Sequence, residues 1–395
     1  MTADGEERIA LALGADWPEL REAVARLCAG FDGAYWRACD GEGRYPEAFV
    51  ATLAEAGYLG ILVPEAYGGA GLPLRAASVV LETIHACGCN AAACHAQMYI
   101  MGTLLRHGSE AQKRRWLPAI ARGELRLQAF GVTEPESGSD TPALRTRARR
   151  VGDRWVVHGR KIWTSRALHS DLMLLLARTT PLERVQRRTD GLSVFLVDLR
   201  EAVGKSIEIR PVRTMINHHT TQIFIDGLEL PAEALIGEEG RGFRYILDGM
   251  NAERILIASE CIGDARWFLD RACQYARERV VFDHPIGRNQ GIQFPLARAL
   301  AETEAAELMV RKACALFDAE HPCGPEANMA KLLAADASWR AGEAAMQTHG
   351  GFAFACEYDI ERKWRETRLY RIAPVSTNLV LAYLAHRVLG LPKSY

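Results

Sequence analysis

Two stretches of this chain hold residue types whose spacing could do chemistry. On a helix, Ile246, Met250, Glu253 and Ile257 fall along one stripe, so Glu253 interrupts an otherwise apolar face. A carboxylate in such surroundings is expected to have a raised pKa, which suits a proton acceptor working on a desolvated substrate. A buried glutamate paired with a neighbouring arginine would give the same pattern. The second stretch, Gln128 to Asp140, starts as an apolar strand and ends in Glu134-Pro135-Glu136-Ser137-Gly138-Ser139-Asp140. A strand feeding such a turn presents backbone N–H groups and hydroxyls together, matching the oxygens of a flavin ring or a phosphate. By turn chemistry alone it reads first as an ordinary strand exit. Cys87, Cys89 and Cys94 beside His95 have a spacing that fits no common zinc pattern. They read as small hydrophobes packed in an alanine-rich helix, and neither a metal nor a disulfide is expected.

The elements that would position these residues divide the chain into three. A length of 395 residues, 49% of them apolar, suggests two or three domains with real cores. Lys plus Arg at 48 against Asp plus Glu at 49 leaves a formal charge of -1, so no bulk field draws nucleic acid or an anionic membrane. Met1 to Asp40 lacks a continuous apolar run, so no leader or membrane span is expected and the protein is assigned to the cytoplasm. From Trp17 the spacing of Leu20, Val24, Leu27 and Cys28, then of Phe49, Leu53, Ala56 and Leu59, is helical, and one long helix is expected from about Ala77 to Leu105. After Leu127 come short runs such as Trp155 to Gly159, Leu172 to Leu176, Leu192 to Val197 and Ile223 to Ile225, which indicate an antiparallel sheet or small barrel. Helical periods return over Phe243 to Val281, Ile292 to Phe317, Pro325 to Gly350 and Val375 to Leu389, lengths that suit a four-helix bundle. The expected architecture is α+β and multidomain: an N-terminal helical domain over 1–127, a middle antiparallel β domain over 128–240 and a C-terminal helical bundle over 241–395.

Five segments carry a resemblance. Ala129-Phe130-Gly131-Val132-Thr133-Glu134-Pro135, followed by Ser137-Gly138-Ser139-Asp140, resembles the flavin-binding signature of acyl-CoA dehydrogenases, and Gly159-Arg160-Lys161-Ile162-Trp163-Thr164-Ser165 resembles the second flavin signature of that family. Arg279-Val280-Val281-Phe282 is similar to its Arg-x-x-Phe segment, with Gln290 after it, and Met346 to Gly351 to its Gln-x-x-Gly-Gly turn. Tyr370 to Thr377 stands where many members have Tyr-x-x-Tyr-Glu-Gly-Thr.

The resemblance implies an FAD enzyme that oxidises the Cα–Cβ bond of an acyl-CoA thioester to a trans-2-enoyl-CoA, an oxidoreductase acting on CH–CH donors. In many members the base is the glutamate of that last loop, but here its position aligns with Pro374. In isovaleryl-CoA and long-chain members the base precedes an arginine on the first helix of the C-terminal domain, and Glu253, before Arg254, matches it. Proline has no N–H. The loop amide that hydrogen-bonds the thioester oxygen in the family is therefore missing, or is supplied by shifted backbone such as Val375. Carried over by position, Phe130, Val132 and Thr133 lie along the isoalloxazine, Ser139 sits near phosphate or substrate, Trp163 covers a ring face and Ser165 offers a hydroxyl. Arg279, Phe282, Gln290, Gln347, Gly350 and Gly351 bind the adenosine half, with Ser376 and Asn378 also at the cofactor, while Asn251 and Arg254 line the thioester end. His349 is expected to stand behind the ligand-contacting residues or to face solvent. The resemblance further implies a homotetramer, with an electron-transfer flavoprotein as acceptor. Acyl chain length and branching stay open. A carrier-protein thioester as substrate, a flavin monooxygenase and a catalytically silent scaffold are the alternatives.

Overall fold

The structure, a computed structural model, describes residues 16–393. The expectation about a leader therefore rests partly on Met1 to Ala15, which lie outside the described residues. In chain order the elements are α1 (Pro18–Cys28), α2 (Gly33–Glu42), α3 (Glu47–Glu55), α4 (Leu74–Ala86), α5 (Ala96–His107), α6 (Glu110–Ala121), β1 (Leu127–Gly131), β2 (Arg147–Val151), β3 (Arg154–Ser165), β4 (Leu172–Arg178), β5 (Leu192–Asp198), α7 (Leu199–Ala202), β6 (Ile207–Pro211), β7 (Thr220–Pro231), β8 (Leu235–Ile236), α8 (Gly242–Glu278), β9 (Val280–Val281), β10 (His284–Pro285), α9 (Gln290–Asp318), α10 (Gly324–His349), α11 (Ile360–Leu369) and α12 (Thr377–Tyr383). They form two compact units. One comprises the described residues up to Arg44, Pro73–Ala91 and the described residues from Asn251 onward; the other comprises Tyr45–Leu72 and Ala92–Met250.

The second unit holds the sheet, in the order β6-β7-β3-β2-β4-β5-β8 with β1 beside β4. An antiparallel sheet was expected, and most pairs are antiparallel, but β4 has two parallel neighbours: β1, with Leu127 opposite Leu172 and Gly131 opposite Leu175, and β2, with Arg147 opposite Arg178. The reason is legible in β4 itself. Its run Leu-Met-Leu-Leu-Leu-Ala-Arg is buried on both faces, the property of a strand that takes neighbours and cover on both sides. Its core joins Ala129, Met173, Leu175, Phe195, Val197, Ile223 and Ile225. The α6 helix opens with a capping box between Ser109 and Gln112, and the Gln112 amide also donates to the carbonyls of Glu233 (2.7 Å) and Leu235 (3.0 Å), fastening α6 to β8.

In the first unit, α8, α9 and α10 bury Phe268, Leu269, Leu296 and Ile360 against a run of alanines, Ala265, Ala272, Ala299, Ala341 and Ala345. Complete burial of a side chain such as Phe268 contributes about 1.5–3 kcal/mol. The α4 helix begins without a cap of its own. Asp318 supplies one from the end of α9, accepting from the amides of Leu74 (2.6 Å) and Arg75 (3.1 Å).

Four expectations need correction. The long helix from Ala77 to Leu105 is two helices, α4 and α5, because Gly88 takes φ 81° and a side chain there would lie 2.6 Å from the Trp267 indole nitrogen. Cys87, Cys89 and Cys94 accordingly lie in the break rather than inside a helix. Cys89 and Cys94 are buried, as small hydrophobes are, but Cys87 is exposed. The C-terminal part has a further helix, α11, whose charged run Glu361 to Arg368 hid its period because Arg362, Lys363 and Glu366 are buried in ion pairs. The last helix is shorter than expected, ending as α at Tyr383 before a π turn over Leu384–Val388.

Candidate active site

In the sheet unit, the two flavin-like signatures meet. The first leaves β1 and turns at Glu134; the second is the end of β3. The Ile162 amide donates to the carbonyl of Thr133 (2.9 Å), and Lys161 reaches back to the carbonyl of Val132 (3.0 Å) and the carboxylate of Glu134 (2.8 Å). Glu134 also accepts from the amides of Arg145 (2.6 Å) and Thr146 (2.9 Å). Burial pushes the Glu134 carboxyl up, but the Lys161 charge and these hydrogen bonds outweigh it and hold its pKa below the usual carboxylate range. Burial holds the Lys161 ammonium down at about 8. Neither residue stood out in the sequence as a pair, since a strand lysine normally points to solvent.

That lock constrains the far end of β3. The register against β7 shifts between Ile162 and Thr164, Trp163 takes φ 59°, and its indole is 58% exposed. A tryptophan held in the left-handed region and turned outward is strained and adds little to the core. Among the described residues the hydroxyls of Thr133 and Ser165 have no partner, while Phe130 and Val132 are half-buried and Ser139 is exposed. An exposed indole beside uncommitted hydroxyls at the end of a rigid strand is a donor set that fits a planar heterocycle such as isoalloxazine. Beyond Ser165, Arg166 takes φ 61° and bonds the carbonyl of Ala92 and, at 3.5 Å, the ring of His218. His169 stacks on Tyr45 (4.0 Å) and bonds His219 (3.2 Å). This histidine cluster was not foreseen, because its members are far apart in sequence. A groove of about 900 Å³ on the same unit, lined by His158, Arg160, Phe224 and Asp226, contains none of the expected flavin residues.

In the helical unit, α8 carries Glu253, 7% exposed, on its buried face. Arg254 donates to the side chain of Asn251 (3.1 Å), and burial lowers its pKa against the raising effect of the Glu253 charge. The same face holds two further acids. Glu260 accepts from the hydroxyl of Tyr370 (2.8 Å), and Asp264 bonds His85 Nδ1 (2.8 Å) and Lys363. His85 Nε2 accepts from the Ala91 amide (3.1 Å), so the proton sits on Nδ1. The interruption that singled out Glu253 also marks Glu260 and Asp264, and would have found them. The loop after Tyr370 contains a cis Ala373–Pro374 bond, and the next carbonyl, that of Val375, accepts from Lys331 Nζ (2.8 Å). Ser376 caps α12 through the Leu379 amide (3.3 Å), and Asn378 is exposed in its first turn.

Of the adenosine candidates, Arg279 and the Gly350–Gly351 turn come together in this unit. Phe282 and Asp283 close the β9–β10 hairpin with φ 52° and 65°, a turn that ordinarily demands Asn-Gly, and Phe282 is 89% exposed. Arg279 lies 5.8 Å from the centre of the Phe352 ring, which brings the α8 end to the Gly350–Gly351 turn. A side chain at either glycine would meet nothing within 4 Å, so that turn is open to a ligand. Arg279, Gln290 and Gln347 are exposed. His349 is not solvent-facing: it is buried, stacked on Tyr275 (4.3 Å), with Nδ1 donating to the carbonyl of Ala345 (2.8 Å).

Comparison with known proteins covers most of the chain. Family models described as the N-terminal, middle and C-terminal domains of acyl-CoA dehydrogenase match residues 16–124, 129–227 and 240–389. An acyl-CoA dehydrogenase of Mycobacterium tuberculosis is 36% identical over 379 residues, covering 95% of this chain and 96% of its own. The cyclohex-1-ene-1-carbonyl-CoA dehydrogenase of Syntrophus aciditrophicus is 36% identical over 345 residues, 86% of this chain and 81% of its own. Among solved structures, glutaryl-coenzyme A dehydrogenase with glutaryl-CoA superposes with a TM-score of 0.89 at 30% identity, covering 96% and 97%.

Proposed function

The chain belongs to the acyl-CoA dehydrogenase family, and we propose that within it Glu253 is the base. The enzyme is FAD-dependent and dehydrogenates an acyl-CoA across its α and β carbons. Bound FAD supplies the hydride acceptor for the β-hydrogen. Proton removal and substrate positioning fall to groups of the protein. Glu253 takes the α-proton as a carboxylate, and a buried position on α8 favours that role, because a desolvated carboxylate is a stronger base than a hydrated one. The single observation that carries this reading is the pairing of a buried Glu253 with a proline, Pro374, at the family's usual glutamate position. Asn251, bonded to Arg254, is assigned to the thioester end.

Phe130, Val132, Thr133, Ser139, Trp163 and Ser165 are assigned to the isoalloxazine and its surroundings, with Ser376 and Asn378 also at the cofactor. Arg279, Phe282, Gln290, Gln347, Gly350 and Gly351 are assigned to the adenosine half. Phe282 at 89% exposure, Phe294 at 61% and Leu308 at 56% are apolar side chains that self-association would cover, which supports a homotetramer. An electron-transfer flavoprotein is the proposed acceptor, and the chain is assigned three domains divided at 127/128 and 240/241. Among the described residues no helix is long and apolar enough to cross a membrane. Glu253→Gln, loaded with FAD and mixed anaerobically with acyl-CoA, should leave the flavin band unbleached while the parent bleaches. Equal bleaching would remove Glu253 from this role.

A further inference from the structure

We propose that Lys331 is a positioning residue that holds the Val375 amide as the hydrogen-bond donor to the substrate's thioester oxygen, the donor that Pro374 cannot be. The inference rests on the acyl-thioester reading above and extends it to residues that reading does not use.

Lys331 on α10 is 1% exposed, and burial holds its ammonium down at about 8. An ammonium has three N–H donors, yet among the described residues Lys331 has one acceptor, the carbonyl of Val375 at 2.8 Å. A buried charge with a single partner is costly and calls for a reason. Its surroundings supply one. The ionisable groups that bear on it, after burial itself, include Arg254, Asp336 and the proposed base Glu253.

The loop it grips is fixed at both ends and open in the middle. Tyr370 is tied to Glu260 (2.8 Å), and Thr377 Oγ1 donates to the carbonyl of Arg371 (3.0 Å). Between them Val375 is buried, 8% exposed, and its amide donates to no described residue. Buried backbone N–H groups are nearly always paired, so one left over on a clamped loop is a place for a ligand oxygen. Pulling on the Val375 carbonyl orients the peptide that follows it, while the hydrogen bonds at Tyr370 and Thr377 limit how far the amide before it can turn. The charge on Lys331 also favours the negative charge that develops on a thioester oxygen as the α-proton leaves.

The test uses the FAD-loaded full chain and the enoyl-CoA product of whichever acyl-CoA bleaches the parent's flavin. The thioester carbonyl stretch of that bound product, isolated by ¹³C-edited infrared difference spectroscopy, moves to lower frequency when the oxygen is hydrogen-bonded. Lys331→Met should bind the product within about threefold of the parent, lose most of that shift and slow bleaching about 100-fold, with KM little changed. Lys331→Arg should keep the shift in part. Val375→Pro, which deletes the amide hydrogen, should reproduce the Lys331→Met result, and it decides the matter if Lys331→Met fails to hold FAD. A full carbonyl shift in Val375→Pro, or parental shift and rate in Lys331→Met, overturns the proposal. The infrared reading does not involve the base, so a failure of Glu253 in the bleaching test would leave it separately interpretable.

Discussion

Removing Glu134 should cost the sheet unit far more than a surface glutamate would, and should take the flavin with it. Glu134 is 3% exposed and accepts from Lys161, Arg145 and Thr146 at 2.6 to 2.9 Å; Lys161 is fully buried. In Glu134→Ala the Lys161 ammonium keeps one acceptor, the Val132 carbonyl at 3.0 Å. Breaking a buried pair by deleting one partner costs about 3–5 kcal/mol, mostly the penalty of the charge left behind. For a unit of this size each kcal/mol lowers the unfolding temperature by about 2–4 °C, so a fall of about 6–20 °C is expected. Because the same pair joins Glu134 to the strand bearing Trp163, FAD content after purification should fall as well. Thermal unfolding followed by circular dichroism, on flavin-free and flavin-loaded protein, measures both effects. The double variant Glu134→Ala/Lys161→Met should recover much of the lost stability, since it removes both charges and leaves none unpaired. A fall under about 2 °C in the single variant, or strictly additive losses in the double, would refute the argument that this pair clamps the two signatures.

Trp163→Ala should leave the flavin-free unfolding temperature within about 2 °C, because the indole is exposed, yet weaken FAD binding about tenfold, as loss of one aromatic contact does. Fluorescence titration with FAD measures the second effect, and unchanged affinity would take Trp163 off the ring. Gly88→Ala should lower stability by about 1–3 kcal/mol, since φ 81° disfavours any side chain and the new methyl would press on Trp267, and denaturant titration reads it. The histidine cluster should make the sheet unit sensitive to acid. Burial, with the neighbouring His219 charge, lowers His169 to about 4, and burial holds His218 well below the ordinary imidazole range. The unfolded chain therefore binds these protons first. Stability is full above about pH 6.5 and is lost as pH falls from there toward 4. Unfolding temperatures at pH 7.5, 6 and 5 should decline, with a smaller decline in His169→Gln; an identical decline in both would remove His169 as a cause.

What the sequence disclosed was what repeats along the chain. Periods of helix and strand set out the order of elements, and a carboxylate breaking an apolar stripe marked Glu253 as a buried acid. What it hid depends on distant residues meeting. Lys161 reads as an outward strand residue until Glu134 folds back onto it, and Arg362 and Lys363 look like a solvated helix face until their ion pairs bury them. The break at Gly88 was present as a glycine between two cysteines, but the indole of Trp267 that makes it obligatory comes from elsewhere in the chain. Lys331 could not be read at all from spacing, because its meaning lies in the carbonyl of Val375 across a turn from α11. Pro374 was legible as a departure, and its bearing on the next residue appears only in the structure, where the Val375 amide donates to no described residue.

The central claim is that Glu253 removes the α-proton. An anaerobic titration of the FAD-loaded protein with a panel of straight and branched acyl-CoA thioesters, beside the same panel on Glu253→Gln, tests it most directly. One class of thioester should bleach the flavin band of the parent, and Glu253→Gln should bind the same thioester with the band intact. Bleaching of the variant at the parent's rate would contradict the claim and make Glu253 a structural carboxylate.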